Sequence, residues 1–216
     1  GWAMQRIRNA DRHATAVIFP SDHVLGDTAL DQIRVAEPIA KKYLVTFGVK
    51  PTSPHTGYGY IRPGKPLTVG NLAREFKEKP DEKTAKEYIR KGYLWNSGIF
   101  LLSTDCFFTE LKKYQPALYA VFADVTDPDY PGLEAISIDY GLLEHSKKVA
   151  VVPLDAEWSD LGTFRALYEA EAHSPEGNVG DAQYLSSRNN YVHARGKRVG
   201  LIGVNDLIVV DTTDAL

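Results

Sequence analysis

Two aspartates in this sequence follow strand-like apolar runs and are candidates to share a metal ion. Asp22 comes after the run Thr15–Pro20, and Asp160 comes after the run Val151–Leu154. In an open parallel sheet, strand ends of this kind meet at one crevice. Two carboxylates there would suit Mg²⁺, a hard ion that takes oxygen ligands and shares them with substrate phosphates. The alternative interpretation, that each aspartate only caps a following helix, stays open on the residues alone.

A glutamate and a lysine stand together at the end of a predicted strand. Glu78 and Lys79 follow the run Ala73–Lys77, and Pro80 ends the strand. A lysine is a point charge suited to phosphate, and a glutamate accepts hydrogen bonds from sugar hydroxyls. The pair therefore indicates a site for a phosphorylated sugar, while a charged strand end in water is the plainer alternative.

Two glycine-containing stretches would allow a ligand to approach bare backbone. Gly57 and Tyr58 lie in a Thr-Gly-Tyr-Gly turn, and Asn96 and Gly98 precede the apolar run Ile99–Leu102. That run predicts a strand buried on both faces, with its polar residues at the open end. The four residues outside the run are candidate substrate contacts, since glycine permits close approach. Each stretch is equally compatible with a tight turn beside a core strand.

The elements that must position these residues alternate between strand and helix. The run Thr15–Pro20 predicts a buried strand, Ala29–Lys42 has helical periodicity interrupted by Pro38, and Leu44–Val49 is the next strand. Strand, helix and strand in this order form a βαβ unit. The sequence therefore predicts an α/β fold with a parallel sheet and covering helices.

The rest of the chain up to residue 173 continues this pattern, with further helices, one strand and one exposed loop. They are helices over Gly1–Arg12, over Glu82–Lys91 with Asp81 as N-cap, over Thr104–Ala123, over Asp139–Lys148 and from Gly162 to about Ala172, a strand over Val149–Leu154, and a loop over Asp124–Gly132.

The composition shifts at Ser174–Gly177, and short alternating runs follow. The runs Tyr191–Ala194, Val199–Val204 and Leu207–Asp211 predict an all-β tail, in which we find no convincing fixed-period repeat. We therefore predict two parts, residues 1–173 and the start of a β-rich unit over residues 174–216.

The composition excludes several classes of function. The chain has 216 residues, 44% of them hydrophobic and 25% charged, with a net charge of -3. These values are ordinary for a soluble globular protein and favour neither a nucleic-acid nor a membrane partner. The single cysteine, Cys106, and the absence of apolar runs near the about 18 residues of a spanning helix predict a cytoplasmic protein. No Walker loop or Ser-His-Asp pattern is recognisable.

Taken in order, several motifs resemble those of the mannose-1-phosphate guanylyltransferases, a family of sugar nucleotidyltransferases. The resemblance extends over about residues 16 to 172, and the order of the motifs is more specific than any one of them. The matching segments are Phe19–Val24, Leu44–Val49, Pro51–Thr52, Thr56–Ile61, Phe76–Asp81, Trp95–Phe100, Ser137–Tyr140 and Trp158–Gly162.

This resemblance implies a Rossmann-like, three-layer nucleotidyltransferase domain followed by a left-handed β-helix-like segment, in a homodimer. It implies that GMP is transferred from GTP to mannose 1-phosphate with Mg²⁺, giving GDP-mannose and pyrophosphate. By position, Asp22 and Asp160 resemble the metal ligands, Lys79 the cation that holds the sugar phosphate, and Glu78 and Asn96 the partners of sugar hydroxyls. Gly57, Tyr58 and Gly98 correspond to the remaining substrate contacts.

One departure from the family bears on activity. A glycine-rich signature loop is expected upstream of Asp22, yet the 21 residues before Asp22 do not contain it. We therefore expect a chain from which this loop is missing to keep sugar-phosphate contacts and to fail in nucleotidyl transfer. Two alternatives follow: a nucleotidyltransferase for another sugar, such as glucose 1-phosphate, and a non-catalytic regulatory subunit that binds sugar nucleotides.

Overall fold

The structure of the chain, a computed structural model, describes residues 1–124, 133 and 135–213. Contacts divide it into two compact units. The first unit comprises Gly1–Ser21 and Leu25–Trp158, and the second comprises Asp22–Val24 and Ser159–Leu216. The predicted division after residue 173 does not coincide with this contact boundary and stays a prediction about domains. Within the described ranges, no helix is long and apolar enough to cross a bilayer.

The chain alternates between helices and strands as far as α7 and contains only strands beyond it. In order they are α1 Trp2–Ala10, β1 Thr15–Ile18, β2 Val24–Leu25, α2 Ala29–Val35, α3 Glu37–Ala40, β3 Leu44–Val49, β4 Tyr60–Pro66, β5 Asn71–Lys77, α4 Glu82–Arg90, β6 Leu94–Ser103, α5 Thr104–Tyr114, α6 Pro116–Asp124, a single π-helical turn Asp139–Leu143, β7 Val149–Pro153, β8 Trp158–Ser159, α7 Phe164–Ala170, β9 Gln183–Leu185, β10 Tyr191–His193, β11 Gly200–Ile202 and β12 Ile208–Val210.

The first unit is built on a mixed six-stranded sheet with the strand order β1-β6-β3-β7-β5-β4. Strand β3 runs parallel to β7, but both β1 and β3 run antiparallel to β6, which lies between them. The prediction of a parallel sheet is therefore wrong. A βαβ pattern fixes the relative direction of its own two strands, β1 and β3, and says nothing about a later strand inserted between them.

The sheet is covered on both faces, because alternate residues of its central strands enter two different apolar clusters. Leu44, Phe100 and Leu102 join one cluster together with residues of α1 and α5. Val45 and Leu101 join the other, together with residues of α2 and α3. Successive side chains of a strand point to opposite faces of the sheet. A central strand that is covered on both faces therefore needs a near-continuous apolar run. The predicted burial of Ile99–Leu102 on both faces is confirmed.

Strand β1 is more exposed than its sequence predicts. The run Thr15–Pro20 indicates a buried strand, yet Val17 and Ile18 are 40% and 36% exposed. The physical reason is position, since β1 stands at one end of the strand order and pairs with β6. Apolarity alone does not distinguish a central strand from an edge strand.

Most of the predicted helices are present with small changes in their ends. Helices α1 and α5 are confirmed, α4 is capped by Asp81 as predicted, and the helix predicted over Ala29–Lys42 is divided into α2 and α3 around Pro38. The helix predicted over Asp139–Lys148 is only the π-helical turn Asp139–Leu143. The loop predicted over residues 124–132 lies, after its first residue, outside the described residues.

The second unit contains parallel strand pairs at a constant offset along the chain. Strand β9 pairs in parallel with β11, and β10 pairs in parallel with β12. Hydrogen bonds from Arg188 to Asn205, from Asn189 to Asp206 and from Leu207 to Asn190 all span 17 positions. Nearer the start of this unit, hydrogen bonds from Asn190 to Asn178 span 12 positions instead. The offset is a spacing of hydrogen-bonded positions and not a recurrence of residue types, so it does not test the expectation that the residues contain no fixed-period repeat.

The N-cap of α5 gives a first testable prediction. The hydroxyl of Ser103, which is 4% exposed, accepts a hydrogen bond from the backbone N–H of Cys106 at 3.2 Å. Replacing Ser103 with Ala leaves that buried donor without a partner, and we expect a loss of about 1 kcal/mol in the free energy of unfolding. Urea denaturation followed by circular dichroism measures it. The control is Thr109→Ala on the exposed face of the same helix, with a change within about 0.5 kcal/mol. Equal effects from the two variants would contradict the capping role.

Candidate functional site

The hydrogen-bond ladder of the sheet gathers most of the predicted substrate contacts at the start of β4. Tyr60 pairs with Lys77 of β5 and with Trp95 of β6. Just before Tyr60, the carbonyl of Gly59 accepts from the backbone N–H of Asn96 at 2.8 Å, and the carbonyl of Tyr58 accepts from the N–H of Lys79 at 3.3 Å. Three chain segments that are far apart in sequence are thus held side by side by backbone hydrogen bonds.

The Trp-Asn-Ser-Gly segment lies inside β6 and not in front of it, which corrects the predicted start of that strand. The pairing of β6 with β3 shifts register between Thr46 and Gly48, and Gly98 has a positive φ of 72°. Such a bulge bends a strand and changes the direction of its side chains. Gly98 is therefore required by the backbone of β6, because few other residues adopt this conformation without strain.

Asn96 is held by its side chain as well as by its backbone. Its Oδ1 accepts a hydrogen bond from the Thr46 hydroxyl at 2.9 Å and from the Gly98 N–H at 3.3 Å. Its Nδ2 donates to Oδ1 of Asp139 at 2.9 Å. Thr46 is fully buried, and a buried hydroxyl needs a partner of this kind.

Glu78 and Lys79 form an ion pair at the end of β5, with Nζ of Lys79 3.6 Å from Oε1 of Glu78. The Glu78 side chain is 11% exposed and the Lys79 side chain 60% exposed. Oε2 of Glu78 is buried and has no hydrogen-bond partner within the described residues. Lys79 has a positive φ of 46°, a conformation that is strained for any residue except glycine and is often found at functional sites.

Burial and crowding of like charges raise the pKa of two carboxyls at this place. Burial raises the pKa of Glu78 most, the neighbouring Asp139 raises it further, and the ammonium of Lys79 opposes both. Burial likewise raises the pKa of Asp139, against the effects of its hydrogen bonds and of Lys79. The ammonium of Lys79 therefore favours the ionised form of both carboxyls and opposes the effect of their burial.

Gly59, which the sequence did not single out, packs more tightly against its neighbours than Gly57 does. A β-carbon on Gly59 would lie only 2.4 Å from Oε2 of Glu78 and 3.2 Å from the β-carbon of Asn96. At Gly57, by contrast, an added β-carbon would meet the edge of the His55 ring, at 2.9 Å. The packing of Glu78 and Asn96 against this backbone therefore depends on Gly59 having no side chain.

Aromatic rings fix the loop that carries Gly57 and Tyr58. The Tyr58 ring stacks on His55 with 3.9 Å between centroids and meets the edges of Trp95 at 5.0 Å and Trp158 at 5.3 Å. Nδ1 of His55 accepts from the N–H of Gly57 at 3.1 Å. Tyr58 therefore has a packing role in this structure, in addition to its predicted contact with substrate.

The two predicted metal ligands belong to the second unit, whereas all the other predicted site residues belong to the first. The Asp22 side chain is 78% exposed and lies 4.0 Å from Nε2 of His23. Oδ1 of Asp160 accepts from the N–H of Gly162 at 3.1 Å. Across the described part of the chain, no three His, Cys, Asp or Glu side chains are grouped so that they could hold a metal ion.

The structure thus brings Gly57, Tyr58, Glu78, Lys79, Asn96 and Gly98 to one place within the first unit. Three residues there were not predicted as site residues: Thr46, Gly59 and Asp139. Thr46 gave a signal, since it is the only polar side chain in the run Leu44–Val49, and a buried polar group implies a partner. Asp139 lies far from the other segments in sequence, and nothing in its neighbours indicates Asn96 as its partner.

The raised pKa of Glu78 gives a second testable prediction. Because the pKa is raised, the folded chain binds the Glu78 proton more tightly than the unfolded chain does. Protonated Glu78 therefore adds to the free energy of unfolding; this contribution is complete below the ordinary pKa of 4.5 and is lost as the pH rises through the raised pKa. We expect Glu78→Gln to have a larger free energy of unfolding than the wild type at about pH 7 and to lose that advantage at about pH 4.

Urea denaturation at the two pH values measures this difference. The control is Glu87→Gln on the exposed face of α4, for which the change should stay within about 0.5 kcal/mol at both pH values. If the free energy of unfolding of Glu78→Gln differed from that of the wild type by the same amount at both pH values, the ionised Glu78 carboxyl would not be the destabilising group.

Comparison with known proteins places these segments in a family. The family described as Nucleotidyl transferase matches residues 2–177. Mannose-1-phosphate guanylyltransferase ManC from Salmonella typhimurium is 38% identical, covers 97% of the chain and is matched over 48% of its own length. Mannose-1-phosphate guanylyltransferase from Escherichia coli is 39% identical and covers 93% of the chain, over 47% of its own length. The chain therefore spans about half the length of these curated relatives.

A solved structure supports the same relationship. The crystal structure named mannose-1-phosphate geranyltransferase from Thermus thermophilus is 30% identical, has a TM-score of 0.86 and covers 98% of this chain and 66% of its own. The mixed α/β architecture of the first unit is thus that of a nucleotidyltransferase. Since the family match extends over more than half of the sequence, the chain belongs to the nucleotidyl transferase family.

Proposed function

We propose that this chain is part of a mannose-1-phosphate guanylyltransferase, which transfers GMP from GTP to mannose 1-phosphate and releases pyrophosphate. The observation that carries the proposal is the grouping of Glu78, Lys79 and Asn96, in which Glu78 and Asn96 pack against Gly59 and Lys79 pairs with Glu78. An exposed cation beside a buried acceptor and a fixed carboxamide suits a phosphorylated sugar. Relatives of this sequence are named for that activity.

Each residue of the group has a chemical role. Lys79, the more exposed member, binds the phosphate of mannose 1-phosphate as a point charge. Glu78 accepts a hydrogen bond from a sugar hydroxyl, since its Oε2 has no partner in the described part of the protein. Asn96 supplies a second hydroxyl contact, and the backbone near Gly57, Tyr58 and Gly98 completes the surface.

Asp22 and Asp160 are proposed to hold Mg²⁺. Two carboxylates fit this ion, which usually keeps several waters and takes its remaining ligands from substrate phosphates. Two carboxylates are too few for a site made by protein alone, so waters and substrate phosphates would supply the other ligands. When bound, the ion neutralises charge on the phosphates.

The reaction asks the protein for positioning and charge compensation. The attacking group is already an anionic phosphate, so no general base is required, and the obstacle is the approach of two polyanions. Lys79 reduces this repulsion at the sugar phosphate. We further propose that the parallel pairs of the second unit begin a β-helix-like segment, and that the protein acts as a cytoplasmic homodimer.

The direct test is pyrophosphate release by the full-length protein, with mannose 1-phosphate and glucose 1-phosphate each combined with GTP, ATP and UTP. We expect a strong preference for the mannose and GTP pair. A preference for glucose 1-phosphate would favour a related enzyme with the same fold. Binding of sugar nucleotide without pyrophosphate release would favour the regulatory subunit.

The role of Lys79 gives a further prediction. Lys79→Ala should lower kcat/KM by about 100-fold or more, because it removes the cation that compensates the sugar phosphate. Its fold should be kept, because the side chain is largely exposed. The control is Lys83→Ala on the exposed surface of α4, with unchanged activity. A folded Lys79→Ala protein with wild-type activity would remove Lys79 from the site.

A further inference from the structure

The hydrogen bonds of Asn96 determine which way round its carboxamide lies. Oδ1 accepts from the Gly98 N–H and lies 2.9 Å from the Thr46 hydroxyl, whose single hydrogen is shared with the Ile99 carbonyl at 3.2 Å. Nδ2 donates one of its two hydrogens to Asp139. The second hydrogen has no partner among the residues that the structure describes.

Two of these partners leave no choice of orientation. The backbone N–H of Gly98 can only donate, and the carboxylate of Asp139 can only accept. Rotating the carboxamide by half a turn would place Nδ2 against the Gly98 N–H, so that two donors face each other. It would also place Oδ1 against the Asp139 carboxylate, so that two acceptors face each other. The Thr46 hydroxyl can act either way and follows the other two. Asn96 therefore turns Oδ1 toward Gly98 and Thr46 and leaves one N–H for a ligand.

The carboxylate of Glu78 offers an acceptor to a ligand, whereas Asn96 offers a donor. Oε2 of Glu78 is a buried acceptor without a partner in the described ranges. A β-carbon on Gly59 would lie 2.4 Å from this oxygen and 3.2 Å from the β-carbon of Asn96, so both side chains pack against the same glycine. A donor and an acceptor are thus brought together, and a sugar hydroxyl that accepts from Asn96 and donates to Glu78 would satisfy both.

The π-helical turn accounts for the position of Asp139. The N–H of Glu144 donates to the carbonyl of Asp139 at 3.0 Å, a hydrogen bond over five residues instead of four. The wider turn directs both carboxylates to the same site: Asp139 binds the Asn96 side chain, and Oε1 of Glu144 accepts from the N–H of Glu78 at 3.2 Å. π-Helical turns are rare and frequently occur at functional sites.

From this geometry we propose that Asp139 is a positioning residue, which fixes the Asn96 carboxamide so that Asn96 recognises the sugar as a hydrogen-bond donor only. This inference rests on the proposed function, since it takes mannose 1-phosphate as the ligand of the site. Asp139 does not itself contact the sugar in this proposal. It acts through Asn96, with Thr46 and Gly98 on the opposite side of the carboxamide.

The test compares a sugar phosphate with inorganic phosphate, which lacks sugar hydroxyls. Calorimetric titration of the full-length protein should show that Asp139→Ala weakens mannose 1-phosphate binding by about tenfold or more. Binding of inorganic phosphate, which depends on Lys79, should not weaken, because the variant removes a negative charge that interacts with Lys79. Asp139→Asn keeps an acceptor oxygen and should retain most of the affinity for the sugar phosphate. Equal weakening of both ligands would show a merely structural role and overturn the proposal.

A double-mutant cycle supplies an independent check. In an Asn96→Ala background, Asp139→Ala should cause no further loss of affinity, because the group that it positions is gone. Additive losses would overturn the proposal. Thr46→Val and Thr46→Ser provide a matched pair on the other side of the carboxamide, with loss of affinity expected only for the valine.

A ligand-free measurement separates this inference from the proposed function. The side-chain amide signals of Asn96 in an NMR spectrum should shift in Asp139→Ala and stay near the wild type in Asp139→Asn. If the wild type did not bind mannose 1-phosphate, the proposed substrate would be rejected, and the NMR comparison would still decide the positioning role. Unchanged Asn96 signals in Asp139→Ala would overturn it.

Discussion

The candidate site depends on one feature of the sheet, namely that the start of β4 is hydrogen-bonded to β5 and to β6 at once. Tyr60 has a pairing partner in each of these strands. The residues immediately before Tyr60 are therefore confined between the end of β5 and the first half of β6. Backbone pairing fixes distances to within a fraction of an ångström, which a site for a small phosphorylated ligand requires. The side chains at this place then determine which ligand is accepted.

The carboxylates at this site are crowded and partly buried, which makes their ionised forms costly in the folded chain. Glu78 and Asp139 are partly or largely buried near each other, and one ammonium, that of Lys79, stands against them. The backbone of Lys79 is itself in a strained conformation. Backbone strain and crowded, partly buried charges of this kind persist when the surrounding structure enforces them, and they are concentrated at functional sites. The rigid pairing around Tyr60 provides that enforcement.

Local signals in the sequence predicted more than long-range ones. The residue types at Glu78, Lys79 and Asn96 predicted a site for a phosphorylated sugar; the structure brings the three residues together, and their role in binding stays a prediction. Local signals also predicted the capped helix α4. Two non-local predictions were wrong: the parallel sheet, into which β6 is inserted antiparallel, and the burial of β1, which lies at the edge. Each of these depends on which distant segments pair, and short-range patterns carry no such information.

The inserted strand shows how Asn96 reaches the edge of the sheet that the sequence predicted for it. Strands β3 and β7 run parallel, with Gly48 opposite Pro153, so their carboxyl ends meet at one edge of the sheet. Because β6 runs the other way, with Asn96 opposite Gly48, it presents its beginning at that same edge. A residue at the start of an antiparallel strand thus reaches the edge at which a parallel strand would end. Ligands of parallel sheets commonly bind beyond the carboxyl ends of the strands, and Asn96 lies at that edge of β3 and β7 although its own strand runs in the opposite direction.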